Sequence, residues 1–398
     1  MEYALLLIAV TYAVSLGFGI LLEKYLKMPW MFAALFFGMI LSSFNLFELT
    51  LKDEPFQLFA TLGMLFLLFM IGFNLDIKRM KRFEKEIFKG SILIVGFEAC
   101  TVGSLLYFGF PAEVSNSPLV AIITALSFAT VGEAILLPIL AKYGIIKTTF
   151  GQLTLGIGTI DDILEVLTLL LIPFLPVFLP ISQIQGFPDP TLVLLDLAGI
   201  SILTLVSIKF GVKIRNILRK NWNFEFLRPL LILLVFFSFV VLGGFVFESL
   251  AAISAIFGGL VARSLLPKEK LRADERAVNF LGYIFLSPLF FLSVGANVSV
   301  TSILVYPLLI ALIWFVAKGS KLLASYLLFH QLLGTKCSLL LGLGLSVRFS
   351  TSLIVTYVLL NSGLISLALY SALIATAIFM KPVILGILSW ALSKGKPP

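Results

Sequence analysis

The chain has 398 residues, of which 60% are hydrophobic and 13% are charged, and its formal net charge is +8. Soluble domains contain about 45–50% apolar and about 25% charged residues, so the composition excludes an ordinary soluble domain. Apolar runs of about 20 residues, the length of a spanning helix, recur along almost the whole chain. An all-α polytopic membrane protein is therefore predicted, because an open sheet leaves backbone polar groups unsatisfied in lipid.

The excess of positive charge does not predict a nucleic-acid partner, because the basic residues fall in short connections between apolar runs. That distribution indicates membrane topology. The two cysteines, Cys100 and Cys337, indicate neither a disulfide framework nor a CxxC metal site. No cofactor is expected.

Hydropathy, together with the positions of glycine, proline and charged residues, predicts thirteen spans. In chain order they cover residues 3–22, 29–47, 56–76, 88–109, 117–141, 149–176, 191–212, 228–247, 249–267, 276–298, 302–329, 337–360 and 364–391. Connections after odd-numbered spans, with the C-terminal segment, carry most of the 29 Lys and Arg, and those after even-numbered spans carry only Lys52. The positive-inside rule then predicts a plasma (inner) membrane protein with its N-terminus outside and its C-terminus in the cytoplasm.

The two halves of the chain contain similar short motifs. Three of them recur after about 220 residues, namely 33–38 and 254–259, 72–76 and 295–299, and 126–127 and 345–346. A shift by seven spans reverses the direction of each matched helix. The sequence therefore predicts an inverted-topology repeat, which is typical of secondary transporters with a site near the middle of the bilayer.

Asp161 and Asp162 are adjacent within the apolar run 151–175. A carboxylate at bilayer depth costs several kcal/mol, about 2.5–3.5 on translocon scales, so the pair predicts a site for protons or cations. Neighbouring residues on a helix point about 100° apart, so these two acids cannot face each other as in an aspartyl-protease dyad. Glu165 and Glu98 are candidate accessory acids, and a hydrogen bond to a neighbouring helix is the alternative role for each.

Two mid-span segments have the composition of a helix that unwinds. Residues 129–133 include Thr130 and Glu133, and residues 342–352 combine glycines and hydroxyl groups with Arg348. Unwound carbonyls and helix ends bind cations in transporters. A packing face of small residues is the alternative for residues 129–133. Under the repeat, these two discontinuous helices are expected to cross near the aspartates.

Span 11 contains two lysines, Lys318 and Lys321, one turn apart near the centre of the bilayer. Charge balance predicts that at least one of them meets an aspartate. Arg348 is expected to neutralise helix C-terminal ends at the crossing. Lys381, which precedes Pro382, is expected to extend its ammonium group to the membrane surface.

With these features, the chain resembles the monovalent cation:proton antiporters, specifically the Kef-type and NapA-like branch, over nearly its full length. The similarity lies in the run 62–72, in Thr130, in the aspartate pair, and in Arg348 after residues 342–345. It implies an NhaA-like antiporter fold with a panel part that dimerises and a core part that moves like an elevator. The panel is expected at about 1–85 and 228–300, the core at about 86–176 and 301–393, and a linker with a linking helix at 177–227.

The resemblance also implies that Asp162 is the main carrier and that Asp161 pairs with a lysine of span 11. Spacing to Gly334 favours Lys321 for that pair, whereas depth in the membrane favours Lys318. Both alternatives stay open.

The implied ligands of Na⁺ or K⁺ are Asp161 and Asp162, with Thr130 and Glu133 close by. Glu133 stands where many relatives have a small or apolar residue, so the preference among Na⁺, K⁺ and Li⁺ stays open. The number of protons exchanged for each cation stays open too.

The sequence thus predicts a secondary active antiporter that exchanges a monovalent cation for protons by alternating access. It is expected to be a homodimer in the lipid bilayer that serves pH homeostasis, and not an enzyme. The main alternative is a sodium-coupled symporter of a small organic solute on a similar inverted-repeat scaffold, which would need a cavity for that solute. A cation channel is a further alternative.

Overall fold

The described residues form helices joined by short turns and irregular segments, and no strand occurs among them. This computed structural model describes residues 2–397 except 27, 75–83, 130, 176–189, 219–226, 246–247, 268–270, 348–349, 380 and 396. The α-helices are α1 (Glu2–Leu21), α2 (Phe32–Ser43), α3 (Glu48–Lys52), α4 (Glu54–Asn74), α5 (Glu84–Ser104), α6 (Pro118–Ala129), α7 (Glu133–Lys142), α8 (Thr149–Leu171), α9 (Pro190–Leu218), α10 (Leu227–Gly244), α11 (Glu248–Leu265), α12 (Leu271–Asn279), α13 (Ser287–Ala296), α14 (Val300–Val305), α15 (Pro307–Gly344), α16 (Ser350–Asn361), α17 (Leu367–Phe379) and α18 (Lys381–Lys394).

Among the described residues, 8 helical stretches are long and apolar enough to cross a membrane. Shorter apolar helices of 10–17 residues accompany them at Phe32–Ser43, Pro118–Ala129, Leu250–Leu265 and Thr351–Asn361. Large side chains such as Leu195, Ile202 and Leu205 on α9 are exposed, as lipid-facing residues are. The predicted class, an all-α polytopic membrane protein, is confirmed, and the count of thirteen spans stays a prediction.

The chain forms two compact units. Unit 1 comprises Met1–Tyr12, Phe47–Asp76 and Leu169–Ser293, and unit 2 comprises Ala13–Leu46, Ile77–Thr168 and Val294–Pro398. The segments predicted as the core fall largely in unit 2. Residues 13–46, which the prediction places in the panel, lie in unit 2 as well. The division into panel, core and linker stays a prediction.

In unit 1, helices α4 and α11 pack closely through glycine. A methyl group at Gly72 would overlap the carbonyl oxygen of Ile256, and one at Gly259 would overlap that of Phe69. Small residues allow such a close approach of two helix backbones in membranes, where no hydrophobic effect drives helices together. The side chain of Arg263 donates a hydrogen bond of 2.7 Å to the carbonyl of Phe73 near the end of α4.

Unit 2 contains the corresponding approach between α2 and α13. A methyl group at Gly295 would overlap the carbonyl oxygen of Leu35. Gly72 and Gly295 belong to one pair of repeated motifs, and Ile256 and Leu35 belong to another. Each glycine therefore packs against the matching helix motif of the other half of the sequence, as an inverted repeat requires.

Candidate functional site

Two interrupted helices meet in unit 2. Helix α6 ends at Ala129 and α7 begins at Glu133, while α15 ends at Gly344 and α16 begins at Ser350. The amide of Gly132 donates a hydrogen bond of 2.7 Å to the carbonyl of Val347, which joins the two breaks. The predicted crossing of discontinuous helices is therefore present.

Three consecutive carbonyl groups that follow α15 each accept a hydrogen bond, two from lysine side chains in the first part of α15 and one from the break between α6 and α7. Lys321 Nζ donates to the Leu345 carbonyl at 2.6 Å, and Lys318 Nζ donates to the Ser346 carbonyl at 2.8 Å. The third carbonyl, that of Val347, accepts the Gly132 amide. Because a helix C-terminus carries partial negative charge, two ammonium groups stabilise this end.

The predicted charge-compensating residue Arg348 lies outside the described residues. Thr130 and the side chain of Glu133 lie outside them too. We predicted that Arg348 neutralises the C-terminal end of a helix. In the described part of the site, Lys318 and Lys321 do this at the end of α15.

The side chain of Asp161 is fully buried on α8. Its Oδ1 atom accepts a short hydrogen bond from the Ser91 hydroxyl group of α5. Its Oδ2 atom is also buried and has no hydrogen-bond partner among the described residues. One oxygen of this carboxyl group is therefore held in place, while the other remains available to a proton or a cation.

The second aspartate, Asp162, is half-buried, and Glu165 is buried one turn further along α8. A helical turn of 3.6 residues places Glu165 on the same face as Asp161. Helix α8 thus presents two buried acids on one face and a third, partly accessible acid beside them.

A fully buried ion pair joins α5 to α15. Lys321 Nζ lies 3.3 Å from Glu98 Oε2, and both side chains are 0% exposed. Lys321 and Glu98 also lie within electrostatic reach of Asp161. The predicted pairing of Asp161 with a lysine of this helix stays a prediction.

The position of the Lys381 side chain differs from the predicted one. Its side chain is 2% exposed, and its ammonium nitrogen lies 3.8 Å from the ring centroid of Phe32. The prediction that it extends to the membrane surface is wrong, because the aromatic face stabilises the buried cation instead. A small cavity, with room for about one water molecule, is lined by Lys381, Lys318 and Ser346.

Sequence reasoning missed two contacts of this site. Ser91 carries no feature that distinguishes it from other serines in apolar helices, and the aromatic partner of Lys381 lies far away in the sequence. The one available signal was the spacing of Ser91 and Glu98, which are seven residues apart. This is about two helical turns, so both residues lie on the same face of α5.

Interrupted helices that cross, inverted repeats and buried acids near the crossing are together typical of secondary transporters. The chain belongs to the sodium/hydrogen exchanger family, whose transmembrane model matches residues 10–394.

Its relatives support this placement. The chain is 24% identical over 337 residues to the Na⁺/H⁺ antiporter of Enterococcus hirae, which covers 82% of this chain and 83% of that protein. It is 25% identical over 283 residues to the probable Na⁺/H⁺ antiporter 3 of Methanocaldococcus jannaschii, with 70% and 68% covered. The Na⁺/H⁺ antiporter NhaS5 of Synechocystis is 25% identical over 300 residues, which are 72% of this chain and 40% of that longer protein.

The fold is also similar to a solved structure. The sodium proton antiporter MjNhaP1 of Methanocaldococcus jannaschii superimposes with a TM-score of 0.65 at 18% identity, over 98% of this chain and 99% of that one. At this identity, the similarity establishes the fold.

Proposed function

We propose that this chain exchanges a monovalent cation for protons across the membrane, with Asp161 and Asp162 as the shared site. The observation that carries the proposal is the buried Asp161 carboxyl group, which has one oxygen held by Ser91 and the other without a hydrogen-bond partner among the described residues. The antiporter names of its relatives support the same activity.

The mechanism is competition for one pair of carboxyl groups. A charged carboxylate is costly within the bilayer, so the site crosses between its two accessible states only when protons or a cation neutralise it. Protons leave on the more alkaline side, and the vacated oxygens bind the cation there. Because both substrates occupy the same oxygens, each drives the other in the opposite direction.

Na⁺ is the cation that we propose, since it is the ion in the names of the relatives. K⁺ and Li⁺ are the competitors to be tested, with Thr130 and Glu133 as the further ligands that the resemblance implies. Homodimerisation, elevator-like movement and the plasma-membrane orientation remain predictions of the same resemblance and of the charge distribution.

Purified protein in liposomes with an internal pH dye tests the exchange. An imposed Na⁺, K⁺ or Li⁺ gradient should drive proton movement in the wild-type protein, and Asp162→Asn or Asp161→Asn should abolish it. Asp196→Asn is the matched control, because this acid lies on α9 in unit 1 and should leave the rate unchanged.

Wild-type rates in Asp162→Asn would refute the assignment of the site. Uptake of an organic solute with Na⁺, without counter-movement of protons, would instead indicate the symporter.

A further inference from the structure

A third lysine, Lys381, lies beside the break that follows α15. It is the first residue of α18, and its side chain is buried. The Phe32 ring of α2 lies 3.8 Å from its ammonium nitrogen and holds this nitrogen on one side. Lys381 also has other contacts in the structure. Charged side chains within membrane-spanning segments are costly and mark functional sites, so a buried lysine here points to a role in transport.

A small cavity between α18 and the break brings Lys381 close to Lys318. Both lysines line it, together with Ser346 and Val347 of the break and Thr376 near the end of α17. It has room for about one water molecule. Ammonium groups donate hydrogen bonds, whereas carbonyl and hydroxyl oxygens accept them, so a water molecule there finds partners for its lone pairs and its hydrogens. An anion fits less well, because the C-terminal end of α15 carries partial negative charge.

We propose that Lys381 is a positioning residue of the ion site: a water molecule in this cavity accepts a hydrogen bond from its ammonium group and donates one to the break. This inference rests on the proposed exchange function and adds a residue that acts on the ion site through the break. Water-mediated contacts are nearly as favourable in enthalpy as direct hydrogen bonds. Lys381 thereby holds the break in place, and the Phe32 ring holds Lys381.

The break transmits this contact to the ion site. Its three carbonyl groups accept hydrogen bonds from Lys321, Lys318 and the Gly132 amide, so a movement of the break shifts all three partners. Lys321 lies within electrostatic reach of Asp161, the buried acid of the proposed site. Unwound carbonyls and helix ends contribute to cation binding in transporters, so a break that is held less firmly should bind the cation less tightly.

Lys381→Met removes the charge and keeps an apolar chain of similar length. The Na⁺ concentration at half-maximal exchange should rise about three- to tenfold, the change expected from the loss of one hydrogen bond. A purely structural role would instead lower the amount of folded protein and the maximal rate, with the half-maximal concentration unchanged. Lys381→Arg keeps the charge and the contact with the Phe32 ring, so its half-maximal concentration should lie nearer to the wild-type value than that of Lys381→Met.

Ala377→Val tests the water molecule separately. Ala377 lines the same cavity, and the two added methyl groups should fill the space of the water while leaving Lys381 and its other contacts in place. This variant should also raise the half-maximal Na⁺ concentration about three- to tenfold. A folded Ala377→Val protein with the wild-type half-maximal concentration overturns the inference. The same comparison decides the question where Lys381→Met fails to fold.

Lys394→Met is the matched control on the same helix. Lys394 also places its ammonium group over an aromatic ring, 4.1 Å from the ring centroid of Trp390, but both side chains are exposed. It lies at the other end of α18, away from the break, so this variant should exchange ions as the wild type does. A rise of the same size in Lys381→Met and Lys394→Met overturns the inference.

The measurement is the dye-reported exchange rate of full-length protein in liposomes over a range of Na⁺ concentrations, with thermal unfolding in detergent as the check on folding. A wild-type half-maximal concentration in Lys381→Met overturns the inference while leaving the exchange function intact. Absence of Na⁺-driven proton movement in the wild type overturns the proposed function itself.

Discussion

The carboxyl group of Asp161 depends on a neutral hydroxyl group for its position. Ser91 binds Oδ1 and so fixes the orientation of Oδ2, the atom that is available to a ligand. A hydrogen bond to a charged group contributes about 1.5–3 kcal/mol, which makes Ser91 a determinant of cation affinity on energetic grounds.

Ser91→Ala should raise the cation concentration at half-maximal exchange about tenfold or more, because the carboxylate loses a buried donor. The measurement is the dye-reported rate in liposomes over a range of Na⁺ concentrations. Thr101→Ala on the same helix is the control, since that hydroxyl donates to the helix's own Phe97 carbonyl. Equal half-maximal concentrations for the two variants would contradict the role of Ser91.

The acids of this site could be predicted from the sequence, whereas their partners could not. Adjacent aspartates in an apolar run are recognisable by their cost in lipid. The partner of a lysine, in contrast, depends on how two helices rotate and how deeply they lie. Lys321 and Glu98 are more than two hundred residues apart, so local periodicity carries no information about their contact.

The longest helix, α15, is bent at a single residue. Gly334 has φ 75° and ψ 165° inside an otherwise helical stretch from Pro307 to Gly344. The portion before it carries the two lysines, and the portion after it leads into the break that accepts them. Only glycine adopts a positive φ at little cost, so this bend depends on the residue type.

Gly334→Ala should lower the free energy of unfolding by about 1–3 kcal/mol, because alanine is strained at this φ even though nothing crowds its methyl group. The measurement is thermal unfolding in detergent. Gly319→Ala on the same helix is the control: its position is helical and open, and alanine should stabilise it by about 1 kcal/mol. Shifts of the same sign in both variants would contradict the role of the bend.

For the helices, the composition predicted the sites of interruption better than it predicted where each helix begins and ends. Glycine and hydroxyl residues at 129–133 and 342–352 indicated both breaks correctly. Spans 11 and 12, predicted at 302–329 and 337–360, meet at Gly334, where non-helical dihedral angles separate two helices, and the second of these helices ends at Gly344. Residues 330–336 include His330 and Lys336 and suggested a loop, but the backbone continues as a helix on both sides of Gly334.

For the whole molecule, the repeat was predictable because it leaves a common offset in the sequence. The sequence could not say which motif contacts which, because that depends on tertiary packing. In each unit, the glycine of one motif approaches the carbonyl of the other. The same packing arrangement therefore occurs twice, and each copy joins a helix of the first half of the chain to a helix of the second half.

The orientation of the molecule is testable by chemical labelling. Cys100 and Cys337 are first replaced by serine, and the exposed residues Glu2 and Ser393 are changed to cysteine one at a time. In intact cells, a membrane-impermeant maleimide should label Glu2→Cys at once and Ser393→Cys only after the membrane is opened. This is the result expected because the positive-inside rule predicts that the basic connections lie on the cytoplasmic side. The opposite pattern would reverse the predicted topology.

The bond between Gly132 and Val347 has a consequence for how this protein can diverge. Both of its atoms belong to the main chain, so no side chain at either position is needed to form it, and proline at 132 is the substitution that removes the donor. The central junction is therefore compatible with many alternative sequences. Two exchangers can retain the same junction after most of their amino acids have changed.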